Sequence, residues 1–195
     1  MAPELPDPSL RLSPAMPAPV ALTGVPGTGK SSAAARLAPG LRSVEVGDLA
    51  LAWRLARRSS SGAVSVDLGR LRQRFRRAPP DVDLVVGHLA HLLPLRDVVV
   101  LRCHPEVLLR RLRGARRGSR TDRQENYVAE ALDLVLAEAI RPGRRVWEVD
   151  TTHRSPAEVG RIVRRFVRTR PPSRYGGVDW LADPRVTEHL LPREP

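Results

Sequence analysis

The nine residues GVPGTGKSS (24–32) constrain this chain more than any other segment. They put Gly24, Gly29, Lys30 and Ser31 at the spacing G-x-x-x-x-G-K-[ST], directly after the apolar run VALT (20–23) and before the helix-forming SSAAARLA (31–38). A strand, a glycine-rich turn and a helix in that order make a cradle in which main-chain N–H groups converge on phosphate oxygens, and the helix start adds partial positive charge. Gly24, Gly27, Thr28, Gly29, Lys30, Ser31 and Ser32 are the candidate nucleotide-binding residues. Lys30 is expected to reach the β and γ phosphates and the Ser31 hydroxyl to ligate Mg2+. Of the 33 Lys and Arg residues, Lys30 is the single lysine. An arginine's planar fork cannot replace a compact ammonium in so tight a loop, so a chain that uses arginine everywhere else keeps lysine here.

Five short runs rich in Val and Leu read as buried strands: 20–23, SVEV (43–46), DLVVGH (83–88), DVVVLRC (97–103) and RVWEVD (145–150). Strands without polar alternation are covered on both faces, and strands alternating with helix-length segments imply a three-layer α/β fold with a five-stranded parallel sheet and helices on both sides. SPAE (155–158) offers Ser155 as N-cap, Pro156 at the first helical position and Glu158 as the capping-box acid, predicting a helix to about Arg168. A helix starting at Pro105 and another spanning Tyr127–Ile140 follow from apolar spacing. The 195 residues suit one domain over about 19–170. It is flanked by a Pro-rich arm (1–18) expected to be flexible and a Pro/Gly-rich tail (171–195), which either docks through Trp180, Leu181, Leu190 and Leu191 or offers them to a partner.

The longest apolar stretch, LVVGHLAHLLPL, is broken by Gly87, His88 and His91 and falls short of the roughly 20 residues of a membrane span. A soluble protein with no membrane partner is expected. The lone Cys103 excludes a disulfide within the chain, reads as a buried inert thiol and fits a reducing cytoplasm. A net charge of +12 points either to an anionic partner such as RNA or to a compositional bias toward arginine. The arginine clusters at 102–123 and 161–174 serve either reading.

A guanine-reading Asn-Lys-x-Asp motif would need a second lysine, so a GTPase is excluded, and large motor ATPases need more chain. Six segments in order, ALTGVPGTGKSS, VEVGDLA, VVGHLAHLLP, DVVVLRCHPEVLLRRLR, ENYVAEALDLVLAEA and VWEVDTTHRSPAEV, make the stretch from Val20 to Arg168 resemble the archaeal and eukaryotic-nuclear adenylate kinase family, that of the coilin-interacting nuclear ATPase. The resemblance implies a P-loop kinase fold with a monophosphate-binding insert (about 47–70) and a lid (about 113–122). It further implies a broad-specificity adenylate kinase (ATP and AMP to two ADP) with ATPase activity. A role in small-subunit (16S) rRNA maturation, with a small-subunit ribosomal protein and rRNA as partners, is implied as well. By the same resemblance Asp48 belongs to the monophosphate site, Arg116 or Arg117 is the lid arginine that meets the transferring phosphoryl group, and DTTHRS (150–155) lies where adenine is held.

Two positions depart from the family pattern. Where an acid is usual at the end of the third strand, this chain has Val86, and Asp83 lies about 10 Å back along the strand. Leu51 replaces an arginine, for which Arg54, one turn on if the segment is helical, is the substitute. His88 is either a catalytic, water-orienting group at the strand's carboxyl end or a packed histidine, with His91 read as structural. Asp48 is either an AMP contact or a plain helix cap. Asn126, Glu130 and Asp133 share a helix face and are expected to be solvated.

Overall fold

The computed structural model describes residues 18–37, 40–58 and 64–191. The expected arm therefore lies, but for Ala18, outside the described residues. In chain order the elements are β1 (Val20–Thr23), α1 (Lys30–Ala35), β2 (Ser43–Glu45), α2 (Val46–Ala52), β3 (Ala56–Arg58), β4 (Val64–Val66), α3 (Leu68–Arg77), β5 (Leu84–Val86), β6 (Asp97–Arg102), α4 (Pro105–Gly114), α5 (Arg120–Ala131), α6 (Leu134–Ala139), β7 (Arg145–Asp150), α7 (Pro156–Thr169) and α8 (Pro184–Leu190).

The five predicted strands form one all-parallel sheet in the order β2-β5-β1-β6-β7, so the chain reverses direction of travel across the sheet beside β1. Open α/β sheets bind ligands outside the strands' carboxyl ends at such a reversal. Period-two alternation sorts the strand residues onto two cores. Ala21, Val85, Val98, Val100 and Val146 face α2, α3 and α6, while Val20, Leu22, Leu84, Val86, Val99, Leu101 and Val149 face α1 and α7. Helix α7 starts as its sequence predicts: the Ser155 side chain takes the Glu158 N–H, Glu158 takes the Ser155 N–H, and Pro156 stands at the first turn. Among the described residues no helix is long and apolar enough to cross a membrane.

Four expectations need correction. The helix read through Leu51 and Arg54 stops at Ala52. Arg54 takes a left-handed φ of 56°, and the chain turns into an antiparallel hairpin of β3 and β4 that was not anticipated. Asp48 does not cap α2, because Glu45 is the N-cap residue and Asp48 sits exposed in the first turn. The helix expected from Tyr127 to Ile140 is two, α5 and α6, broken where Asp133 adopts φ 57°. Glu130, expected in solvent, is buried at 2 % exposure.

Glu130 is buried because Arg102, the last residue of β6 and only 1 % exposed, lies beneath it. The Arg102 guanidinium donates to Glu130 (2.7 Å) and Glu148 (2.8 Å) and also pairs with Asp133. Burial pushes the Glu130 carboxyl up, while Arg102, the Cys103 amide and the Trp180 indole oppose that shift. Trp180 brings the tail into this network by donating to Glu130 at 3.0 Å, and the Gly177 amide donates to Glu148 at 3.0 Å. The tail docks in two further places. Its Arg174 exchanges backbone hydrogen bonds with β7 at 2.9 Å, covering that sheet edge. Val186 of α8 is buried against Leu109, Tyr127 and Ala131, with Trp180 and Leu190 packed alongside, whereas Leu181 and Leu191 stay exposed. Cys103 is fully buried, and burial raises its thiol to about 11, so it is inert as expected.

Candidate active site

The turn after β1 is shaped by what surrounds it. Gly24 has φ +137°, and a Cβ there would stand 2.3 Å from the Leu101 carbonyl oxygen and 2.8 Å from Thr28 Oγ1. Any side chain would therefore push backbone against backbone. Thr28 Oγ1 donates to the Val25 carbonyl at 2.9 Å, and Thr151, at the end of β7, donates to the Thr28 carbonyl at 3.0 Å, so the loop is tied within itself and to the neighbouring strand. Gly29 takes the left-handed conformation (φ 97°) that launches α1. We expect Gly24→Ala to cost at least about 2 kcal/mol and to weaken ATP binding more than tenfold, read from a lowered Tm and a nucleotide titration. An unchanged Tm would show that the loop is not as closely fitted as its contacts indicate.

Lys30 opens α1, and its ammonium donates to the Gly24 and Val25 carbonyls, both at 2.8 Å. Two of its three donors are thus held by the loop, which leaves one for a ligand. Burial lowers the amine to about 8, with Glu45 and Glu130 working to raise it and Arg117 to lower it. The charged form is the one that meets phosphate, and bound phosphates hold the proton more firmly. Affinity for ATP should therefore be full below pH 8 and fall roughly tenfold per pH unit above it, with proton uptake on binding. Calorimetry at pH 8.5–9 in two buffers of different ionisation enthalpy detects that proton, and equal heats would contradict it.

A cavity of about 530 Å³ opens over this loop, lined by Pro26 to Ser32, Glu45, Gly87, His88, Arg111, Leu112, Ala115, Arg117, Thr151, Arg154, Pro156 and Val159. Of the predicted residues it gathers Gly27, Thr28, Gly29, Lys30, Ser31, Ser32, His88 and Arg117. Gly24 lies just below, presenting its carbonyl to Lys30. The segment after β7 also reaches the cavity through Thr151 and Arg154. Asp48, Arg54 and Arg116 are exposed and do not line it. His88 is exposed toward the cavity, and desolvation, then the charge of Lys30, then His91 lower its imidazole, which is neutral at pH 7. His91, 2 % exposed, is held between Thr23 (2.9 Å) and Glu138 (2.7 Å), a structural histidine.

The segment expected as a lid, about 113–122, comprises the end of α4, the turn 115–119 and the start of α5, where the Ser119 capping box with Asp122 restarts the helix. Arg111 of α4 was not anticipated. It donates to the Thr151 carbonyl at 2.8 Å and the Thr152 carbonyl at 3.2 Å, holding the wall of the cavity. The other unanticipated residue is Glu45, the last of β2, whose Oε1 accepts the Ser31 hydroxyl at 2.7 Å.

The chain matches the family described as AAA domain over residues 20–133. It is 39% identical over 170 residues to a "Putative adenylate kinase" of Archaeoglobus fulgidus, covering 84% of this chain and 92% of that one. To the protein of the same description from Methanothermobacter thermautotrophicus it is 40% identical over 174 residues, 83% of this chain and 98% of the other. The fold matches a crystal structure of shikimate kinase from Bacteroides thetaiotaomicron with a TM-score of 0.51 at 15% identity, covering 77% of this chain and 98% of that one. This last likeness speaks to fold alone, a five-stranded P-loop kinase sheet. With relatives this similar along nearly their whole length, the chain belongs to the family of these archaeal adenylate kinase homologues.

Proposed function

We propose that the protein is a broad-specificity nucleoside monophosphate kinase that moves the γ-phosphoryl group of ATP reversibly to AMP, giving two ADP. The observation that carries this reading is the Lys30 ammonium, fixed by two loop carbonyls at the floor of a 530 Å³ cavity whose other cations are Arg111, Arg117 and Arg154. Phosphoryl transfer asks a protein for positioning and charge, and little covalent chemistry. The loop amides and Lys30 hold the β and γ phosphates. Arg117, on the lid turn, neutralises charge that builds on the equatorial oxygens, with Arg116 beside it as the second lid guanidinium. Thr151 and Arg154, following β7, bound the space for the base. Neutral His88 orients the acceptor, or a water in a slower ATPase reaction.

Mg2+ fits the donors present: the Ser31 hydroxyl and the Glu45 carboxylate are hard oxygen ligands meeting at 2.7 Å. Among the described residues no cluster of three or more His, Cys, Asp or Glu could cage a metal, so phosphates and water would complete its shell. Bound there, the ion would neutralise charge on the β and γ oxygens. Asp48 and Arg54 stand outside the cavity, so an AMP contact through them needs the insert to close.

A second reading is supported by a separate feature. Arg113, Arg120, Arg123 and His189 line a cavity of about 440 Å³ between α4, α5 and α8, with no acidic residue among the described residues lining it. Together with the net charge of +12 this favours an anionic partner. A nucleotide-gated factor in small-subunit maturation, meeting rRNA or a ribosomal protein, would use such a face and need little kinase activity.

The kinase reading is tested by incubating the protein with ATP alone and with each of several monophosphates. ADP formed with AMP well above that from ATP alone is expected. Equal ADP in both would leave a nucleotide-gated binder as the better account.

A further inference from the structure

We propose that Glu45 supplies the carboxylate that organises the metal-bound nucleotide, taking over from the acid that Val86 has displaced at the end of the third parallel strand. The inference rests on the nucleotide-kinase reading above. In the sheet, Glu45 and Val86 are register partners on adjacent parallel strands. Their Cα positions are thus about 4.8 Å apart, with side chains on the same face. Glutamate carries one more methylene than aspartate, and that reach brings Oε1 to 2.7 Å from Ser31 Oγ, the hydroxyl that ends the phosphate loop.

The bland alternative is that Glu45 caps a helix. It does occupy the N-cap of α2, with extended φ −75° and ψ 138°, yet its side chain accepts no capping hydrogen bond. The carboxylate turns away from α2 and toward Ser31. It is also the only acidic side chain among the described residues that line the cavity, whose cations are Lys30, Arg111, Arg117 and Arg154. A lone carboxylate beside a triphosphate site repels the ligand, unless a cation lies between the two negative groups. The hydroxyl and carboxylate thus form a two-oxygen seat that suits a hard divalent ion sharing the phosphates.

Titrating ATP into the wild type and Glu45→Gln, once with EDTA and once with saturating Mg2+, separates the roles by sign. In the wild type Mg2+ should strengthen ATP binding at least tenfold. Glu45→Gln should bind metal-free ATP as well as or better than the wild type, since a repulsion is gone, while its gain from Mg2+ drops below about threefold. Glu45→Asp should recover part of that gain, and Mn2+ binding followed by electron paramagnetic resonance should show the same order. A Glu45→Gln protein that keeps the wild-type gain overturns the inference. So does one that loses metal-free ATP as strongly as Mg2+-ATP, the mark of a merely structural residue. If the wild type bound no ATP under either condition, the kinase reading and this inference would fall together, whereas retained metal gain in Glu45→Gln removes only the latter.

Discussion

Lys30→Met abolishes nearly all phosphoryl transfer while leaving a folded protein: kcat/KM falls on the order of 10³-fold, about 4 kcal/mol of transition-state stabilisation. The ammonium is the compact charge the loop is shaped around, pinned by the Gly24 and Val25 carbonyls at 2.8 Å, and a thioether carries no charge to the phosphates. The fold should survive because burying this cation is costly. With its amine lowered to about 8 from an ordinary 10.5, the charged side chain carries a burial penalty on the order of 3 kcal/mol. That penalty is present in full below pH 8 and relieved as pH climbs from about 8 to 10.5. At pH 7 its removal offsets the two lost hydrogen bonds, so the Tm of the nucleotide-free variant should hold or rise. Lys30→Arg should not restore activity, since the fork fits neither the loop nor its carbonyls. Steady-state kinetics and thermal unfolding of the two variants check this, and an active Lys30→Arg protein would contradict it.

The largest effect on stability is expected at Arg102, which does not line the cavity. Arg102→Leu leaves Glu130 and Glu148, with side chains 2 % and 3 % exposed, without the guanidinium that neutralises them. Breaking one side of a buried ionic cluster costs about 3–5 kcal/mol because the remaining charges stay desolvated. Domains of this size are stable by roughly 5–15 kcal/mol, so about a fifth or more of the total would go. The C-terminal strap should loosen as well, since Trp180 and Gly177 bond to those same two carboxylates. Urea unfolding should show the drop in midpoint, and proteolytic cleavage within the tail should appear at lower urea than global unfolding. Replacing Glu130 and Glu148 by apolar residues together with Arg102 should regain part of the loss, because no buried carboxylate is then stranded and Asp133, the third partner, keeps contact with solvent. An Arg102→Leu protein as stable as the wild type would mean that the carboxylates reach solvent on their own.

What the sequence made legible follows from how local each signal is. The phosphate loop and the five strands are written in contiguous residues, and the Ser155–Glu158 box fixed the start of α7 from four letters. The hairpin β3–β4 escaped notice because its strands are three residues each, and β3, Ala-Arg-Arg, carries arginines where a buried strand would carry valine. The break between α5 and α6 is a single left-handed residue, Asp133, inside an unbroken apolar period. Glu130 was misjudged because solvation of a polar helix face depends on what covers it. Here the cover is Arg102, 28 positions earlier, and Trp180, 50 positions later. Glu45 was missed for a related reason: its meeting with Ser31 exists only through the pairing of β2 with β5. The absent acid at Val86 was the one available hint, and it pointed to a vacancy without naming the neighbouring strand that fills it.

Whether this cavity passes a γ-phosphoryl group to a second nucleotide is read from γ-labelled ATP incubated with AMP, Mg2+ and the protein. Label should move into ADP, little should appear as free phosphate, and both signals should vanish with Lys30→Met. Label accumulating as free phosphate at the same rate with or without AMP would contradict that transfer.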